Sequence, residues 1–171
     1  MLNFRRLGQR SLSPYFLGRQ ADAALLEQAI RTETIVLKAC PSCGSVGARI
    51  ALEVDKLLAS GLKPGEIAIV SLRGGAEPDS ILHAAELRRH EVVPADHPAA
   101  GAHIVAETFL RCKGLERPGV IVTDIRLALG KQDYRRRMYI ALTRSLSTVR
   151  LVDNRDDLLR DPILRAVLEI R

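Results

Sequence analysis

Apolar residues along the chain follow two alternating patterns. Short apolar runs bounded by turn residues occur at 34–38, 66–71, 119–124 and 148–153, and their continuous hydrophobicity predicts strands buried on both faces. Between the first two runs, Ile50, Val54, Leu57 and Leu58 recur at helical spacing within 46–60, with Gly61 as the stop. A second helix is predicted over 79–90, opening at Pro78 and Asp79, and a third over 134–145. Shorter strand candidates at 91–93 and 103–107 flank a loop rich in Pro, Ala and Gly. The last residues read as helical with a break at Pro162. Strands joined by helices predict an α/β fold, a parallel sheet with helices on both faces. Ligands on such sheets usually meet the loops beyond the carboxyl ends of the strands, where 71–75 and 108–116 are expected.

Residues 1–33 read as a lead-in of undefined role: arginine-rich, broken at 11–14 by Ser-Leu-Ser-Pro, then helical from about 21 to 31 with Ala24, Leu25, Ala29 and Ile30 on one side. The domain proper is assigned to 34–171. A length of 171 residues suits one well-buried core. No apolar run approaches the roughly 20 residues of a membrane span, and residues 1–10 lack the apolar centre of a secretion signal. A cytoplasmic protein without membrane contact is expected.

Charge changes the picture more than composition does. The chain carries a net charge of +6, yet residues 111–150 alone hold ten basic residues against three acidic ones (Glu116, Asp124 and Asp133). The surplus therefore sits in one stretch, and a basic surface attracts phosphate-bearing partners. An aromatic content of 4% without tryptophan argues against a single-strand binder built on stacking platforms. Cys40 and Cys43 have the C-x-x-C spacing of redox and zinc sites, but no second ligand pair follows, and His83, His90, His97 and His103 are scattered. Loop cysteines after a strand are the plainer reading, and no metal site is expected.

The chemistry-bearing residues cluster late in the chain. Thr108 is followed after four residues by Lys113-Gly114-Leu115-Glu116 and an apolar strand. Arg136-Arg-Met-Tyr-Ile-Ala-Leu-Thr-Arg144 follows on a helix. No Gly-x-x-x-x-Gly-Lys-Ser/Thr phosphate loop occurs. In this order and spacing, the two stretches resemble motifs V and VI of UvrD/Rep-like superfamily 1 DNA helicases, in their second, RecA-like motor domain (domain 2A). Residues 64–73 resemble motif IV more weakly, and the resemblance runs from about 34 to 153. It implies a RecA-like parallel sheet without the phosphate-loop domain, forming one wall of an ATP site completed by an N-terminal motor domain, with single-stranded DNA across both.

Residue by residue, the resemblance makes Arg144 the arginine finger and Arg73 a second arginine near the γ-phosphate. It makes Glu116 the acceptor of the ribose hydroxyls, with Gly114 and Lys113 beside the nucleotide. Thr108 faces the DNA backbone, aided by Arg111. ATP and Mg2+ would bind only together with the phosphate-loop domain, so the isolated chain should not hydrolyse ATP. Two departures stand out: Ser71-Leu72 precede Arg73 where the family has an aromatic residue, and Leu110 replaces a frequent histidine. Outside the resemblance, Arg144 reads as a helix-end arginine bonding the last carbonyls, and Arg73 as a turn arginine. Arg137, seven residues before Arg144, either supports the finger or covers the sheet edge. The competing functions are a non-catalytic helicase-like module that binds nucleic acid or protein, and an unrelated α/β enzyme of the flavodoxin or Toprim type.

Overall fold

Five parallel strands hydrogen-bond in the order β1-β5-β4-β2-β3 in a computed structural model that describes residues 7–20, 22–74 and 80–170. The strands are β1 (Ile35–Cys40), β2 (Ile67–Ser71), β3 (Val105–Thr108), β4 (Arg117–Thr123) and β5 (Ser145–Asn154). The helices are α1 (Leu7–Phe16), α2 (Ala23–Arg31), α3 (Val46–Ala59), α4 (Ile125–Ala128), α5 (Tyr134–Leu142), α6 (Arg155–Arg160) and α7 (Pro162–Glu169).

Alternation along each strand sorts side chains onto two cores. Ala68, Val70, Val120, Val122, Val149 and Leu151 join α1, α2, α5, α6 and α7 on one face. Ile67, Ile69, Ile121 and Val152 meet Ile50, Val54 and Leu57 of α3 on the other. The central strands are thus apolar on both sides, which is why they read as unbroken hydrophobic runs. Helices α1 and α2, from the stretch set aside as a lead-in, supply Leu12, Phe16, Leu26 and Ala29 to the first core.

The structure departs from expectation in three places. Helix α1 passes through the Ser-Leu-Ser-Pro segment with Pro14 inside it. The missing proline N–H costs one intrahelical bond, and the burial of Leu12 and Phe16 outweighs that loss. The helix expected over 79–90 is instead two 3-10 segments, Ile81–His83 and Ala85–His90, broken at extended Ala84; its first residue, Asp79, lies outside the described residues. The Ser80 hydroxyl and Ile81 N–H bond the Asp124 carboxylate, so the segment is tied to the end of β4 before a helix can start. The strand expected at 91–93 is reduced to a single bridge, Val93 to Val105.

One charged cluster lies within the second core. Glu53 of α3 is fully buried and accepts from Arg150 of β5 at 2.6 Å and from Lys56 at 2.9 Å. Burial alone would raise its carboxyl, but the Lys56 hydrogen bond and the Arg150 charge prevail and hold it below its ordinary value. Its stabilising share is therefore present above the unfolded carboxylate range and lost as pH falls through the lowered folded value. Glu53→Ala should destabilise the protein by about 3–5 kcal/mol in urea unfolding, because Arg150 is left buried and unpaired. Glu53→Leu combined with Arg150→Met should recover most of that loss, and failure to recover it would mean that the pair itself holds α3 on the sheet.

Candidate nucleotide and nucleic-acid edges

Parallel pairing forces each connection to carry the chain from the carboxyl edge of the sheet back to its amino edge. The connection from β3 to β4 does so in residues 109–116. Phe109 N–H bonds Ser71 O at 2.8 Å beside the end of β2. The turn then winds tightly, with Cys112 N–H to Thr108 O at 3.0 Å and Leu115 N–H to Cys112 O at 2.9 Å. Phe109 and Cys112 are buried under it. Gly114 closes it at φ +87°, a left-handed conformation suited to glycine.

Thr108 and Glu116 therefore lie at opposite edges. This corrects the expectation that all of 108–116 stands beyond the carboxyl ends. Thr108 ends β3 at the carboxyl edge, and exposed Glu116 immediately precedes β4 at the amino edge.

Arg144 arrives at the same amino edge from the other side. It follows α5 and immediately precedes β5, and its carbonyl accepts from Arg117 N–H at 2.9 Å. The pairing of Arg117 with Ser145 continues from that bond. The two motifs, separated by 28 positions at Glu116 and Arg144, are thus adjacent in space. The Arg144 guanidinium lies back along its own helix: Nε donates to Ile140 O at 3.2 Å and Nη2 to Thr143 Oγ1 at 3.1 Å. This is the helix-end arrangement that the residue type alone suggests. Both bonds use one side of the fork, and neither engages Nη1.

Nearby, Arg117 donates to Glu116 O and Ala100 O. The buried Cys112 thiol is pushed up to about 12, first by burial and then by Glu107, against the lowering charges of Arg144 and Arg117. The amino edge consequently carries two guanidiniums and an exposed carboxylate, with exposed Lys113 and Gly114 in the turn leading to it. Gly65 reinforces this edge: a Cβ there would stand 2.0 Å from Gly101 O, so the turn into β2 meets the loop before β3 backbone to backbone.

Arg73 belongs to the other end. It follows β2 at the carboxyl edge, where Ser71 pairs with Thr123. Strand β4 separates that level from Arg144 by about 20 Å at ~3.3 Å per residue. The backbone thus does not bring Arg73 and Arg144 onto a common phosphate. Arg73 lines a cleft of about 630 Å³ with Leu87, Arg88, Glu107 and Arg111. Arg111, expected at a DNA phosphate, pairs with Asp96 at 2.6 Å and Glu107 at 3.3 Å. Leu110 beside it is 58% exposed. Gly75, the end of the expected 71–75 loop, lies outside the described residues.

The sequence did not single out the carboxylates that hold the carboxyl edge together. Asp124, left-handed at φ 57°, accepts from Ser71 Oγ and, at 2.7 Å, from Ser80 Oγ. Asp153 accepts from Arg126 N–H at 3.1 Å and Asn154 N–H at 2.7 Å. An aspartate closing each of the apolar runs 119–124 and 148–153 was the available signal. Cys40 is buried, Cys43 exposed, and both are free thiols. Among the described residues, no group of three or more His, Cys, Asp and Glu could hold a metal ion, and no helix is long and apolar enough to cross a membrane.

Residues 103–152, which contain both motifs, match the UvrD-like helicase C-terminal domain family. No curated protein matches significantly. Among solved structures, the C-terminal domain of a possible DNA helicase from Lactobacillus plantarum WCFS1 superposes with a TM-score of 0.58 at 18% identity. The match covers 83% of this chain and 90% of that one. At that identity the likeness is one of fold, an α/β, RecA-like parallel sheet flanked by helices.

The carboxyl edge generates a pH prediction. Burial raises the Asp153 carboxyl to about 6 from 3.8, with neighbouring Asp124 adding and the backbone N–H groups opposing. A raised folded value means that stability is fully present below the unfolded value and declines as pH rises through about 6. Asp153→Asn removes the titrating group but keeps an acceptor for only one of the two N–H groups, because they bond different carboxylate oxygens. It should abolish this decline, which amounts to on the order of 1–3 kcal/mol, while the lost hydrogen bond lowers stability by an amount independent of pH. Urea midpoints across that range measure it; a difference between the proteins that does not vary with pH would contradict the assignment.

Proposed function

From a chain whose residues 103–152 match the UvrD-like helicase C-terminal domain, we propose the C-terminal motor domain of an ATP-dependent DNA helicase or translocase. Its amino edge forms one wall of the ATP site, and its carboxyl edge faces single-stranded DNA. The observation that carries this reading is the Arg117 N–H to Arg144 O bond at the head of the β4–β5 pairing, which sets Glu116 and Arg144 at the same edge. A carboxylate suited to ribose hydroxyls and a guanidinium suited to a γ-phosphate thereby share one edge. Lys113 and Gly114 stand in the turn that delivers Glu116.

These groups fit the outer parts of a nucleoside triphosphate. Arg144 is only half-buried, and Nη1 lies away from the carbonyl and hydroxyl that hold Nε and Nη2. The guanidinium would bind the γ-phosphate, while the phosphate loop and the carboxylate for Mg2+ would come from the N-terminal motor domain. Bound Mg2+ would neutralise phosphate charge during transfer. Alone, the chain would be inactive as an ATPase.

On the carboxyl edge, Thr108 and Arg111 would meet the DNA backbone, with Arg73 on the same side of the sheet. Contacts of this kind fix register without reading sequence. Arg111 would exchange its Asp96 partner for phosphate. A second reading, a helicase-like module without catalysis, is favoured by one observation: Arg144 already donates two hydrogen bonds to its own helix end.

One measurement separates these readings, and a second tests the nucleic-acid edge. In the protein joining this domain to its phosphate-loop partner, Arg144→Ala should leave ATP binding intact and reduce turnover by about 10³-fold or more. Turnover at the wild-type rate would remove Arg144 from the finger role and favour the module. The isolated domain should bind single-stranded DNA weakly, without sequence preference, and less tightly as salt rises; affinity indifferent to salt would argue against phosphate contacts.

A further inference from the structure

Arg137 is a charged side chain buried to 9% exposure, where an arginine persists only if its charge and donors are met. Three partners meet them, each from a different segment. Nε donates to Asp133 at 2.9 Å at the start of α5, and this bond is the chief cause holding the Asp133 carboxyl below its ordinary value. Nη1 donates to Leu72 O at 2.8 Å, the carbonyl preceding Arg73. The guanidinium also lies 4.9 Å from the centre of the Phe109 ring, a cation–π contact with the residue that follows Thr108.

Arg137 therefore touches the residues that follow β2 and β3 at the carboxyl edge while standing on the helix that leads to Arg144. Helix α5 has nine residues, about 13 Å of stiff backbone. Arg144 is bound to its last turn through Ile140 O, so the guanidinium moves with the helix.

We infer that Arg137 is a positioning residue through which single-stranded DNA on the Thr108–Arg111 turn shifts α5 and, with it, the guanidinium of Arg144. This rests on the proposed assignment of the two edges. DNA drawing on Thr108 and Arg111 displaces Phe109 between them. Phe109 moves the guanidinium stacked on it, and the helix carries that displacement to the amino edge. A shorter route competes, because Cys112 of the same turn lies within reach of the Arg144 charge.

The test uses this chain with its arginine Nε atoms labelled with nitrogen-15. Both Arg137 Nε–H and Arg144 Nε–H are hydrogen-bonded, which favours observable resonances, and Arg137→Lys and Arg144→Lys assign them. Titration with an oligothymidylate should shift the Arg144 resonance in step with binding followed by fluorescence anisotropy. In Arg137→Lys, which keeps charge without the planar fork, and in Phe109→Leu, which removes only the ring, that shift should shrink about fivefold or more, within the range that coupling through packed residues spans. Phe109→Leu retains both hydrogen bonds of Arg137 and decides the matter if Arg137→Lys fails to fold. An Arg144 resonance that stays still at saturation, or that moves as far in the variants as in wild type, overturns the inference and leaves the proposed function standing. Failure of the wild-type chain to bind the oligonucleotide removes the nucleic-acid edge itself, and the inference with it.

Discussion

One hydrogen bond, from Arg117 N–H to Arg144 O, fixes where the two motifs meet. It stands at the head of the β4–β5 pairing, the centre of the sheet. Beyond it Val120, Ile121, Val122, Val149 and Leu151 are fully buried, so the contact cannot slide without dragging both cores. Pro118 cannot donate to a neighbouring strand, and the register shifts there, from Arg117 with Ser145 to Gly119 with Thr148. The irregularity is confined to the edge where Glu116 and Arg144 emerge, and regular pairing resumes beneath them.

Much of the basic surplus between residues 111 and 150 is engaged by the protein's own oxygens. Arg150 neutralises Glu53, Arg137 is enclosed by Asp133, Leu72 O and Phe109, and Arg111 pairs with Asp96 and Glu107. Arg117 and Arg144 bond backbone and hydroxyl oxygens at the amino edge. Arg135 and Arg136 remain exposed on α5. A count of charges along the chain thus overstates the field presented to a phosphate-bearing partner. What it does locate is the region where guanidiniums organise backbone oxygens and carboxylates.

Two edges at opposite ends of one sheet give the domain a physical basis for linking events on separate surfaces. The 109–116 turn and α5 both run from the carboxyl edge to the amino edge, and they converge at Arg117 and Arg144. Each is packed on the same core, through Phe109 and Cys112 in the turn and Met138, Ala141 and Leu142 in the helix. Stiff elements with shared packing transmit displacements as units, because a close-packed interior has little room to absorb them locally.

The sequence by itself located β1, β2, β4 and β5, as short apolar runs suited to burial on both faces of a parallel sheet. It also determined helices α2, α3 and α5, through apolar spacing, and the order of the two motifs that lie within the residues matching the UvrD-like helicase C-terminal domain family. Tertiary structure decided the rest. Helix α1 forms across Pro14 because Leu12 and Phe16 gain a core, and the 79–90 segment loses its helix because Asp124 captures Ser80 and Ile81. The placement of Glu116 opposite Thr108, and of Arg73 opposite Arg144, also lay beyond sequence. Residues close along the chain are sent to different ends of a sheet by the geometry of parallel connections, and only the strand pairing shows which residues meet at each end.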